Sequence, residues 1–178
     1  SLAEIKDQFE VNLFGPLYLI QQVLPIMRKQ KSGHIINVGS VGSVVSTPTL
    51  GYYAATKAAL DKISEVLSQE VQKYNIKVSI FVPGAVKTDF GKNIRLANSP
   101  LSEEYTTLYK EWESRFRFFF RNRNTVEEAA LKLWKLVETQ KEVMFLRSRD
   151  EVMCFLKRVF PAKLYSYLFL NIYYKYEG

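Results

Sequence analysis

The sequence predicts an α/β fold with a parallel sheet, and three observations carry that prediction. Residues 34–39 (His-Ile-Ile-Asn-Val-Gly) are a short β-branched run bounded by Gly33 and Gly39, the pattern of a buried strand. A helical stretch from Tyr53 to Tyr74 follows, and then a second apolar run, Lys77–Val82, closed by Pro83-Gly84. Strand, helix and strand within about fifty residues form a βαβ unit, which pairs its strands in parallel through a right-handed crossover.

The other elements follow from periodicity and punctuation. In residues 3–30, Ile5, Phe9, Leu13, Leu17, Ile20, Leu24 and Met27 recur at helical spacing, with Pro16 and Pro25 expected to kink or break the helix. Lys31-Ser32-Gly33 ends it. Residues 40–51 form a Ser/Gly/Val/Thr/Pro loop. In the Tyr53 helix, Leu60, Ile63, Val66 and Leu67 are apolar. Residues 85–124 are the least regular, with a helix expected from Ser102 to Phe118. Thr125 and Glu128 form a capping box opening a helix to about Thr139. Its buried side is expected to hold Ala129, Leu133, Leu136 and Val137. Glu142–Leu146 is a third short strand.

The chain has 178 residues, 47% hydrophobic and 24% charged, the makeup of one globular domain with a real core. It has no apolar run long enough to span a membrane, and Ser-Leu-Ala-Glu-Ile-Lys does not read as a signal peptide. It also lacks an initiator Met. Cys154 is the only cysteine, so an internal disulfide is excluded, and a small buried hydrophobe is expected there. The net charge of +7 favours anions, but no nucleic-acid motif accompanies it and no nucleic-acid partner is expected. No His/Cys cluster has metal-ligand spacing, so no metal is expected. His34, the only histidine, is expected to be structural, and Trp112 and Trp134 are expected to pack.

The chemistry concentrates on Tyr53 and Lys57. At i, i+4 they share one face of a helix. A nearby ammonium favours the phenolate and lowers a tyrosine's pKa. A phenol so tuned takes a proton from an alcohol or gives one to a carbonyl. Ser40 stands at the end of a predicted strand, where open α/β sheets bind ligands, and its hydroxyl is placed to hold the reacting oxygen. Taken alone, Tyr-x-x-x-Lys also arises by chance, and Ser40 also serves as a turn hydroxyl.

Four motifs stand in order: Val11-Asn12-Leu13-Phe14-Gly15, the strand leading to Ser40, Tyr53-Ala54-Ala55-Thr56-Lys57-Ala58-Ala59, and Pro83-Gly84-Ala85-Val86-Lys87-Thr88. Together they resemble the catalytic part of a short-chain dehydrogenase/reductase over about residues 2–147. The resemblance implies a Rossmann-type doubly wound parallel sheet. It implies hydride transfer between NAD(P)(H) and an alcohol/carbonyl substrate, with the choice between NAD and NADP left open. It also implies roles. Tyr53 is the acid/base, and Lys57 tunes it and holds the nicotinamide ribose. Ser40 orients the reacting oxygen, and Asn12 anchors a water in a relay to Lys57. Pro83, Gly84, Val86 and Thr88 contact the nicotinamide end, with Thr88 on the carboxamide. A homodimer or homotetramer pairing through the helices of residues 3–30 and 53–74 is implied as well.

The Gly-rich phosphate turn that opens such enzymes is not in the chain. Gly15, Gly33, Gly39 and Gly42 form no such arrangement. The fold is therefore expected to be incomplete. Its opening βαβ half would lie about a hundred residues ahead of Ser1, and strand 34–39 would be unpaired on one side. Residues 1–149 form the catalytic part, with a variable substrate lid at about 89–124, and 150–178 form an aromatic and basic extension. The Arg/Phe run at 115–121 suits an apolar substrate such as a lipid, steroid or retinoid, or equally an ordinary amphipathic helix end. The tail 152–176 has three open readings: a packed helix pair, a dimer contact, or a peripheral membrane anchor. The location expected is cytoplasmic, with or without that membrane contact. The rival function is a non-catalytic binding or membrane-surface protein that kept the fold.

Overall fold

The computed structural model describes residues 1–45, 49–90, 105–107, 110, 124–161 and 163–165. Of the expected helix from Ser102 to Phe118 only residues 105–107 and 110 are described, and they are helical; Trp112, the Arg/Phe run at 115–121 and most of the 89–124 lid lie outside the described residues, as does the tail beyond Tyr165.

The first helix is one helical run in three pieces: α1 (Leu2–Phe9), a π-helical turn (Glu10–Phe14) and α2 (Gly15–Gln30). Pro16 stands just after the π-helical turn, where the regular α-helical hydrogen bonding is interrupted, and the helical run continues past it. Pro25 is carried inside α2. Lys31, left-handed at φ 50°, closes α2. β1 (Gly33–Val38) leads to a 3₁₀ turn (Val41–Ser43) and then to α3 (Gly51–Val71). β2 is Ile76–Val82. The capping box forms as the sequence reading had it: Thr125 Oγ1 accepts from Glu128 N–H, and the Glu128 carboxylate accepts from Thr125 N–H at 2.8 Å. It opens α4 (Val126–Thr139), followed by β3 (Val143–Phe145) and α5 (Ser148–Val159).

The three strands form one parallel sheet in the order β1-β2-β3. Register pairs Ile35 with Val78 and Ile80 with Val143. Among the described residues β1 is an edge strand. Side chains alternate across the sheet. Ile35, Ile76 and Val78 pack with Ile20, Leu67 and Val71 of α2 and α3. Phe81, Met144 and Ile36 pack with Leu136 and Leu133 of α4 on the opposite face. The β1–α3–β2 and β2–α4–β3 crossovers step the same way across the sheet with helices on opposite faces, so they differ in hand.

Two packing expectations fail. Val137 is 42% exposed and Trp134 63% exposed, leaving Leu136 as the buried anchor of α4. Trp134 lies along the helix surface, its Nε1–H donating to Glu138 Oε1 at 2.9 Å. A four-residue partner on its own helix satisfies the indole without burial. Cys154 is buried, as expected. His34 is structural, its Nε2 2.7 Å from Ser79 Oγ, with burial lowering its pKa.

Candidate active site

The site gathers where β1 and β2 end and α3 begins. Ser40 is extended and caps the 3₁₀ turn: Gly42 N–H donates to Ser40 Oγ at 3.0 Å, and Ser43 Oγ donates to the Ser40 carbonyl at 2.7 Å. These bonds fix the hydroxyl with no help from a ligand. Gly42 lies between the two groups: a Cβ there would stand 3.3 Å from Ser40 Oγ and 3.5 Å from Tyr53 Cε1. The Ser40 hydroxyl and the Tyr53 ring thus flank the same glycine.

The electrostatics differ from expectation. Burial pushes the Tyr53 hydroxyl above its ordinary pKa. The nearby Ser40 hydroxyl lowers it, and the Asp61 carboxylate raises it again. Lys57 is not among the groups that move it. Instead its ammonium donates to the Val38 carbonyl, at the end of edge strand β1, at 2.9 Å. Burial lowers the Lys57 pKa and Asp61 raises it. The Tyr53 pKa is thus raised by burial rather than lowered as the sequence suggested, and the Lys57 ammonium is directed at the Val38 carbonyl.

Asn12 lies in the π-helical turn, an irregularity frequent at functional sites. Its Nδ2 donates to Thr56 Oγ1 at 3.2 Å, and Thr56 Oγ1 donates to the Tyr53 carbonyl at 2.7 Å. Asn12 thus reaches the fully buried residue just before Lys57, not Lys57 itself.

Pro83-Gly84-Ala85-Val86-Lys87-Thr88 leaves the end of β2 at the same sheet edge. Gly84 is left-handed at φ 61°, and a side chain there would also strike Asp150 of α5. Val86 bridges Asn124, Lys87 N–H donates to the Asn124 carbonyl at 2.9 Å, and Arg147 Nε donates to Asn124 Oδ1 at 2.9 Å. Thr88 is exposed, and its Oγ1 accepts from Phe90 N–H at 3.3 Å. The Phe90 ring stands 6.2 Å from the Tyr53 ring. Asn124, Asp61 and α5 are site-building features that sequence reasoning missed. Asp61 alone carried a signal, being four residues beyond Lys57 on the same helical face.

α5 closes the remaining side. Met153 and Cys154 pack with Val45 and Tyr165, and Val41, Val44 and Phe145 border them, so an apolar cluster adjoins the Ser40 turn.

The model of the short chain dehydrogenase family matches residues 1–99. A 3-ketodihydrosphingosine reductase from Bacteroides thetaiotaomicron is 41% identical over 107 residues, covering 60% of this chain and 40% of the reductase. An oxidoreductase of Botryotinia fuckeliana is 45% identical over 83 residues, 47% of this chain and 30% of its own length. The chain therefore spans less than half of these relatives. The crystal structure of a short-chain dehydrogenase from Streptomyces avermitilis superposes with a TM-score of 0.68 at 31% identity, over 82% of this chain and 53% of that one. A Burkholderia cenocepacia short chain dehydrogenase in complex with NADP shares the fold, with a TM-score of 0.71 at 19% identity over 94% of this chain and 60% of that one. With the family model matching more than half of its length and carrying the Ser40, Tyr53 and Lys57 motifs, the chain belongs to the short-chain dehydrogenase/reductase family, and its three-stranded parallel sheet is part of a Rossmann-type fold.

Proposed function

We propose that this chain supplies the proton-transfer side of an NAD(P)-dependent oxidoreductase that interconverts an alcohol and a carbonyl. The observation that carries the reading is the placement of the Ser40 hydroxyl and the Tyr53 ring on either side of Gly42, at the C-terminal edge of a parallel sheet. Ser40, held by its own turn, positions the substrate oxygen beside the phenol. Tyr53 exchanges a proton with that oxygen. Its burial keeps the proton on at neutral pH, so the phenol stands ready to donate it to a carbonyl oxygen.

The residues at this edge fit the nicotinamide end of the cofactor: an ammonium at Lys57, a hydroxyl at Tyr53, and the Pro83, Gly84, Val86 and Thr88 segment with Thr88 exposed. When bound, NAD(P)H supplies hydride to the carbonyl carbon. Lys57 holds the ribose and Thr88 the carboxamide; Asn12, through Thr56, fixes the start of the catalytic helix. The Phe90 ring near Tyr53 and the apolar cluster beside the Ser40 turn support an apolar substrate of the lipid, steroid or retinoid kind.

The test is Tyr53→Phe in the full-length enzyme, with NAD(P)H oxidation followed against a panel of long-chain and polycyclic ketones. Turnover should fall by about 10²–10⁴-fold while nucleotide binding persists. Retained turnover would sink the assignment.

Two features of the surface extend the reading. Val152, Phe155 and Val159 of α5 are exposed, with Lys157 and Arg158 nearby, which supports peripheral contact with anionic membrane. No helix among the described residues is long and apolar enough to cross one. Flotation with anionic liposomes should weaken when the chain is ended at Arg149; equal flotation removes the idea. The groove between α2 and α3 (Leu17, Leu24, Ile63, Val66) contains no site side chain and supports pairing of two copies. Light scattering should report a dimer or tetramer, and a monomer refutes the pairing.

A further inference from the structure

We propose that Asp61 is a positioning residue of this site, a carboxylate that lies against Gly39, just before Ser40, and supports the charge of Lys57 from one helical turn away. The inference rests on reading Tyr53 and Lys57 as the working pair. Tyr53, Lys57 and Asp61 fall at i, i+4 and i+8 of α3, one above the other along a single helical stripe. Gly39 makes the approach possible: a Cβ on it would lie 2.9 Å from Asp61 Oδ1 and 2.7 Å from Ile80 Cγ2. Any larger residue would push the carboxylate off the residue that precedes Ser40.

The Ser43 hydroxyl gives its one proton to the Ser40 carbonyl at 2.7 Å, so it is committed to the turn itself. Asp61 Oδ1 is buried without a hydrogen-bond partner, an arrangement with a cost unless charge nearby offsets it.

That charge comes from two elements. Lys57 acts from one turn back on α3, and Arg158 acts from α5. Cys154 of α5 also senses the carboxylate, and Tyr53 is the fourth titratable group under its influence. Burial raises the Asp61 pKa, while Ser43, Lys57 and Arg158 lower it. Asp61 thus keeps Lys57 cationic against its own burial and ties α5 to the catalytic helix.

The test reads Lys57 directly, without requiring turnover. Competitive acetylation of the full chain as a function of pH, followed by mass spectrometry, reports where each lysine titrates, and Lys62 serves as the internal reference. In Asp61→Asn the Lys57 titration should move to lower pH while Lys62 stays in place. Asp61→Glu keeps the charge and should restore most of the shift. A Lys57 titration that is unchanged in Asp61→Asn overturns the proposal, as does an equal displacement in both variants, which would mark a packing role only. Should Asp61→Asn fail to fold, Asp61→Ser takes its place, judged by the same outcomes. If Tyr53→Phe retained turnover, the functional reading would fall while this measurement still stood on its own.

Discussion

Ser64→Ala should cost more stability than a serine-to-alanine change in a helix ordinarily does. Ser64 and Asn37 are both buried, at 2% and 7% exposure. Asn37 Nδ2 donates to Ser64 Oγ at 2.8 Å, and Ser64 Oγ donates to the Leu60 carbonyl at 2.7 Å. Truncation leaves the Asn37 amide as a buried donor without a partner, a penalty of about 1–3 kcal/mol. Alanine's better helix propensity returns about 0.5 kcal/mol. The Leu60 carbonyl is little affected because it also serves the helix. The net loss expected is about 1–2 kcal/mol. Urea unfolding at constant m-value measures it. Asn37→Val removes the orphaned donor, so the double variant should lose less than the sum of the singles, with a coupling of about 1 kcal/mol. A loss below about 0.3 kcal/mol, or strict additivity, would refute the reasoning. The bond matters to function because it links β1, three residues before Ser40, to the helix that carries Tyr53 and Lys57.

Two further outcomes follow from buried ionisable groups. Asp150 is 1% exposed, its Oδ1 lacks a hydrogen-bond partner, and burial raises its pKa above 3.8, with Arg149 and Arg147 pulling the other way. With the folded value raised, its stabilising contribution is fully present below the unfolded value and lost as pH rises through the folded one. Asp150→Asn should therefore be more stable than wild type at pH 7, with the gap closing toward pH 4; a less stable variant at neutral pH counts against this. Burial pushes the Cys154 thiol from 9.0 up to about 11. Stability should fall as pH rises from about 9 to about 11 through this group. Iodoacetamide at pH 8 should leave the folded thiol untouched; rapid labelling without unfolding would contradict its burial.

How legible the molecule was in its sequence depended on whether a feature was local. The capping box at Thr125 and Glu128, the strands at 33–38 and 76–82 and the stripe carrying Tyr53 and Lys57 all rest on spacing within one element, and the structure has them. Pro16 gave the place of an interruption but not its form: a π-helical turn stands before it and the helix goes on. Trp134 and Val137 were misplaced because helical period gives a stripe but not its width, and α4 meets the sheet through Leu136 and Leu133.

The electrostatics of the site were least legible, since they depend on partners far away in sequence. The reach of Lys57 to Val38 spans nineteen residues. The contact of Asn124 with the Val86 segment and the seat of α5 on the Ser40 turn join segments that no local pattern connects. A Tyr-x-x-x-Lys pair fixes which groups share a helical face. Whether the ammonium acidifies the phenol is decided by what else competes for that ammonium, and here an edge-strand carbonyl and the Asp61 carboxylate both do. The proton affinity of Tyr53 is therefore a property of β1, α3 and α5 together, so a substitution at Asp61 or in α5 reaches the chemistry without touching either hydroxyl.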